Sequence, residues 1–122
     1  MRIDKLVKAT VAALEDIKAH DIVVLDVKRM TSLFDKMIIA SGDSTRQTKA
    51  LSNNVQEKLK ALGARIYGVE GEQAGEWILV DLGAVVVHIM QPAVRRYYSL
   101  EELWSPLRRA RHRRAAASTV RG

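Results

Sequence analysis

The chain contains no cysteine, which excludes disulfide frameworks and thiolate metal sites and fits a reducing compartment. No apolar run approaches the ~20 residues that a membrane-spanning helix requires. The opening MRIDKLVKAT has no continuous apolar stretch and does not read as a secretory signal. A cytoplasmic protein is the expectation. The phosphate-binding patterns Gly-x-x-x-x-Gly-Lys and Gly-x-Gly-x-x-Gly are both missing. The three histidines, His20, His88 and His112, show no metal-ligand spacing.

What is present is a chain of 122 residues, 48% of them hydrophobic, enough for one domain with a proper core. The formal net charge of +6 is unevenly placed. Six arginines from Arg108 onward have no acid among them, which leaves 14 basic and 14 acidic residues in the body. A balanced body argues against a wide nucleic-acid surface, whereas RRARHRR can still touch phosphate or simply stay solvated. The expected organisation is one α/β domain over residues 1–106, then a basic, flexible tail over 107–122.

Helical spacing runs from Ile3 to Ala19 through Leu6, Val7, Val11, Leu14 and Ile17. Ile22–Val27 and Met37–Ala40 read as strands. Asp43 or Ser44 then caps a second helix striped by Leu51, Val55, Leu59 and Leu62 and ended at Gly63. Arg65–Val69 is a third strand. Pro92 opens a last helix, Ala93–Trp104, with Tyr97, Tyr98 and Trp104 sealing it to the sheet. The order α-β-β-α-β-β-β-α predicts a five-stranded mixed sheet with helices on one face.

The segment EGEQAGEWILVDLGAVVVHIM, Glu70 to Met90, carries the most information. Strand residues alternate between faces. One face of this hairpin is therefore aliphatic: Ile78, Val80, Leu82, Val85, Val87, Ile89. The other holds Trp77, Leu79, Asp81, His88 and Met90. A two-residue loop at Leu82-Gly83 would set His88 opposite Trp77, so that imidazole meets indole and not the Asp81 carboxylate. That face is either a recognition patch or packs under a helix. Glu70, Glu72 and Glu76 flank the hairpin, with Gly71 and Gly75 allowing a tight path.

Ser41-Gly42 between a strand and a helix is similar to the Gly-Ser element of nucleotidyltransferases. Those enzymes need a nearby acidic pair for metal. Asp26 and Asp81 each lack a same-face acid two residues away, so the transferase reading lacks its metal site, and a capped turn is the alternative.

Taken together, SGDSTRQ, EGEQAGEWILVDLGAVVVHIM and RRYYSLEELW resemble the ribosomal silencing factor (RsfS, or Iojap-like) family over about Ile3 to Trp104. The resemblance implies a nucleotidyltransferase-like fold without transferase chemistry or cofactor. It implies binding to the large ribosomal subunit through ribosomal protein L-fourteen, a steric block to subunit joining, and a homodimer when free. The family's marked positions fall on Ser41, Gly42, Ser44, Arg46 and Gln47; on Glu70, Gly71, Gly75, Trp77, Asp81 and His88; and on Tyr98, Leu103 and Trp104. The implied partner surface is Trp77, Leu79, Asp81, His88 and Met90, with Glu70. The resemblance leaves open a ribosomal RNA contact by the Arg-rich tail. An enzyme and an RNA-binding accessory protein are the competing readings.

Overall fold

The computed structural model describes residues 1–104. The domain boundary at 106 and the basic tail over 107–122 lie outside the described residues. The elements are α1 (Ile3–Asp16), β1 (His20–Asp26), β2 (Lys36–Ser41), α2 (Thr45–Ala61), β3 (Gly68–Glu70), β4 (Trp77–Asp81), β5 (Val85–Met90), α3 (Pro92–Tyr98) and α4 (Leu100–Trp104). The five strands form one mixed sheet in the order β1-β2-β5-β4-β3. Only β2 and β5 run parallel; the other neighbours are antiparallel.

The aliphatic face read from the hairpin lies in the main core. Ile78, Val80, Leu82, Val85, Val87 and Ile89 join Ile38 and Ala40 from β2 under Leu6 and Leu14 of α1 and Leu51, Val55 and Leu59 of α2. Each helix buries one stripe at helical spacing. Thr10, the polar member of the α1 stripe, donates to the Leu6 carbonyl at 2.7 Å. Ser44 caps α2, its Oγ accepting the Gln47 amide at 3.1 Å.

The helices divide more finely than the sequence indicates. Those covering the main core are α1 and α2 only. The central strands β2 and β5 are apolar on both faces, so the far side also carries a patch, Val27, Met37, Ile39 and Met90, which needs cover. The C-terminal segment supplies it with Val94, Leu100 and Trp104. That segment is not one helix. Ser99 takes a left-handed conformation, φ 50°, and ends α3 before α4 begins.

The hairpin register also departs from the expected one. Gly83-Ala84, not Leu82-Gly83, is the two-residue loop, closed by the Leu82 amide on the Val85 carbonyl at 2.9 Å. The Asp81 carboxylate accepts the Gly83 amide at 2.8 Å, which sets the turn one residue later. Trp77 therefore stands opposite Met90, Leu79 opposite His88, and Asp81 opposite Val86.

The loop before β4 depends on Gly71. Its φ is +85°, and a Cβ there would run into the carbonyl oxygen of Trp77. Gly71→Ala is expected to cost at least about 2 kcal/mol, combining backbone strain with displacement of the β4 start. Urea unfolding checks this; an unchanged midpoint would mean the loop can be rerouted without cost.

Candidate partner-binding face

On the sheet side away from α1 and α2, pairing arranges side chains in three rows. Ser41, Met90 and Trp77 form one; Ile39, His88, Leu79 and Glu70 the next; Met37, Val86 and Asp81 the third. The first row is roofed by the C-terminal helices. The ring of Tyr98 lies 4.8 Å from that of Trp77, and Trp104 packs 5.6 Å from Phe34. Met90 is completely buried. It supports the face from beneath and is not part of the accessible surface the sequence suggested, because its position opposite Trp77 puts it under the second cluster.

Helices of seven and five residues do not hold themselves in place. Arg95 pins them. Its Nη2 and Nε donate to the two Glu101 carboxylate oxygens at 2.6 and 3.1 Å, and its Nη1 donates to the Asp21 carbonyl at 2.6 Å and to Ser41 Oγ at 2.9 Å. One nearly buried guanidinium thus joins α3, α4, β1 and β2. A forked donor meeting a carboxylate in two bonds gives geometric specificity as well as attraction.

The second row is buried at Ile39 but open from His88 to Glu70, and its geometry turns on one bond. The Trp77 indole N–H donates to His88 Nδ1 at 2.9 Å. Indole nitrogen can only donate, so Nδ1 must hold a lone pair and the imidazole must be the neutral Nε2–H form. Burial pushes the His88 pKa down to about 4. Imidazole does meet indole, as the sequence suggested, but diagonally across the register. His20 is the opposite case. Its two nitrogens face Asp21 at 3.0 Å and Asp43 at 2.7 Å, and the bonds to Asp21 and then Asp43 raise its pKa.

Beside the Trp77–His88 pair runs a groove of about 550 Å³ lined by Tyr67, Leu79, Asp81, Val86, His88 and Trp104, among others. Trp77, Leu79, Asp81 and His88 are each half-buried, and Glu70 is exposed on the edge strand β3. The structure therefore brings five of the six expected residues to one accessible surface. Asp81 doubles as the hairpin's turn residue. Sequence reasoning missed Tyr67 and Leu33, which are 57% and 81% exposed at the rim. A tyrosine just before a short edge strand was the available signal. Tyr97 and Tyr98, expected to seal the last helix, are instead 82% and 49% exposed.

The Ser41-Gly42 turn is packed shut. A Cβ on Gly42 would lie 3.1 Å from Leu51 and Thr48 side chains. The Asp43 amide already donates to Gln47 Oε1 at 2.7 Å, and Gln47 bonds back to the carbonyls of Ile17 and Lys18. Asp26 is held by the Lys28 amide and by Lys36, which lower its pKa. Among the described residues there is no group of three His, Cys, Asp or Glu that could hold a metal ion, and no helix is long and apolar enough to cross a membrane.

The neutral imidazole has a consequence for stability. The unfolded chain protonates His88 near 6.5, while the fold resists until about 4. Stability from this site is therefore complete above pH 6.5 and falls as pH drops toward 4, by up to roughly 3 kcal/mol. His20, with its raised pKa, works in the opposite direction. Urea midpoints at pH 7 and pH 4.5 for wild type and His88→Asn isolate the effect: the variant should lose less on acidification. Equal losses would mean that His88 is not held neutral.

The family described as ribosomal silencing factor during starvation matches residues 1–121. A ribosomal silencing factor of Chromobacterium violaceum is 58% identical over 104 residues, 85% of each chain. A crystal structure of a C. violaceum protein, also 58% identical, superposes with a TM-score of 0.84 over 85% of this chain and 87% of that one. A mouse protein named for mitochondrial assembly of the ribosomal large subunit is 36% identical over 98 residues, 78% of this chain and 43% of its own length. A fold with a partly roofed sheet face is thus joined to a family match over residues 1–121 and to 58% identity over 104 residues, and the chain belongs to the ribosomal silencing factor family.

Proposed function

We propose that this protein binds the large ribosomal subunit through the Trp77, Leu79, Asp81 and His88 face, with Glu70 at its rim, and represses translation by occupying the surface needed for subunit joining. Ribosomal protein L-fourteen is the partner that the family resemblance implies. The observation that carries the reading is the Trp77–His88 pair itself. A large aromatic is fixed in place, partly accessible, beside an apolar groove, in a chain of a family named for silencing ribosomes. Indole gives large contact area with few torsions left to freeze on binding. A docked surface of standard size would bury on the order of 800 Å² on each side, a large part of this sheet face.

Repression by occlusion needs neither cofactor nor reaction. The scaffold, read as nucleotidyltransferase-like, keeps the strand-to-helix Ser-Gly turn but uses it internally: Ser41 serves Arg95 and Gly42 serves packing against α2. Asp26 and Asp81 lie on β1 and β4, strands that are not neighbours, so they do not converge as a metal-binding pair. The protein acts in the cytoplasm, where ribosomes are, and self-associates when free of them.

Trp77→Ala should weaken binding to large subunits by ~2 kcal/mol or more, as truncation of an interface anchor does. Because Trp77 also bonds His88 and packs on Tyr98, that variant loses fold stability too. Leu79→Asp, a half-buried surface change, separates the two effects. Co-sedimentation with large subunits reads affinity, and light scattering on mixing subunits reads joining. Both variants should bind poorly and allow joining. Wild-type affinity in a folded Leu79→Asp variant would remove this face from the site.

A further inference from the structure

The charges of α1 run against the helix that carries them. Lys5 and Lys8, with Arg2 at the N-cap, place positive charge at its start, while Glu15 and Asp16 place negative charge in its last turn. The backbone dipole favours the reverse arrangement, so this one costs stability. Only Asp4 conforms. A charge pattern that opposes its own helix points to a demand from outside the fold. Nor does the pattern follow from general positivity, since the body without the tail arginines is balanced.

Arg2, Lys5 and Lys8 recur every three residues and so share one side of the helix. All three are exposed. Among the described residues none of them forms an ion pair, whereas Lys36 across from them is held by Asp26 at 3.3 Å. With Lys36, Asp4 and the 42%-exposed Val24 they line a groove of about 710 Å³ between α1 and the sheet edge at β1. The acids of the β3–β4 region, Glu70, Glu72 and Glu76, sit toward the other edge strand. Four cations, Arg2, Lys5, Lys8 and Lys36, thus share one concave site with a single lining acid, Asp4.

We propose that this α1–β1 groove receives the sugar-phosphate backbone of an RNA strand. Resting on the function proposed above, that strand is ribosomal RNA reaching the α1 side of the docked protein at its β1 edge, across the sheet from the docking face. Phosphate contacts of this kind fix register and orientation without reading sequence. A lipid surface fits less well, because the apolar stripe of α1 (Leu6, Ala13, Leu14) is buried on the sheet and cannot enter a bilayer.

The test uses the full chain and a fluorescein-labelled RNA hairpin, read by anisotropy across a salt series. Lys5→Gln/Lys8→Gln is compared with Lys58→Gln/Lys60→Gln, which removes equal charge from exposed positions in the last turn of α2. The α1 double variant should bind about fivefold or more weakly, with a salt slope shallower by about two, while its thermal stability holds or rises. The α2 pair should change affinity little. Equal losses in both would show that only net charge matters and overturn the proposal, as would no loss in either. Unchanged RNA binding with lost binding to phosphatidylglycerol vesicles or to polyglutamate would overturn it in favour of a lipid or an acidic protein. Co-sedimentation of wild type with large subunits is run alongside: if it fails, the function proposed above falls, while the RNA measurement still decides the groove.

Discussion

A single hydrogen bond, from the indole of Trp77 to the imidazole of His88, organises the open face of the sheet. The indole can only donate, and burial keeps the imidazole neutral so that Nδ1 can accept. The bond fixes the orientation of an indole that already packs against the second core patch. It also stops it from swinging free. The ring is held against both His88 and Tyr98, with centroids 5.8 and 4.8 Å away. A recognition surface gains from such preorganisation because less motion has to be frozen when a partner arrives.

The partial roof over that face follows from the sheet's topology. The central pair β2–β5 is parallel and apolar on both sides, so one layer of helices cannot satisfy it. Two short helices complete the cover on the far side, but they reach only the rows nearest Ser41 and Phe34. The uncovered remainder becomes the groove. Arg95 keeps this arrangement from sliding, since its guanidinium is bonded to three separate parts of the chain besides its own helix. The Ser-Gly turn, which in another protein could meet a phosphate, is here one of the anchors for that roof.

Much of this was legible in the residues. Period-two alternation from Trp77 to Met90 separated the two faces correctly, and the helical stripes and the Ser44 cap were plain. Register was not, because the deciding interaction is a side-chain bond, Asp81 to the Gly83 amide, that alternation cannot register. Met90 was assigned to the right face but the wrong environment; facing a direction and being exposed there differ once a roof is added. The break at Ser99 was hidden by apolar spacing that continues through it. Leu33 escaped notice because it belongs to a connection, where no periodicity marks which way a side chain turns, and Tyr67 because the spacing put it inside a strand, Arg65–Val69, that begins only at Gly68. Family resemblance supplied what spacing could not, a reason to treat an indole on a sheet as a docking surface.

The proposed function requires that the Trp77–His88 face, and not another side of the domain, meets the large subunit. A cryo-electron-microscopy map of the protein bound to large subunits tests it most directly. Trp77, Leu79 and the Tyr67 rim should be covered by a ribosomal protein, with a partner side chain seated in the groove beside His88. A map in which that face points to solvent while the protein is held by some other surface would contradict it.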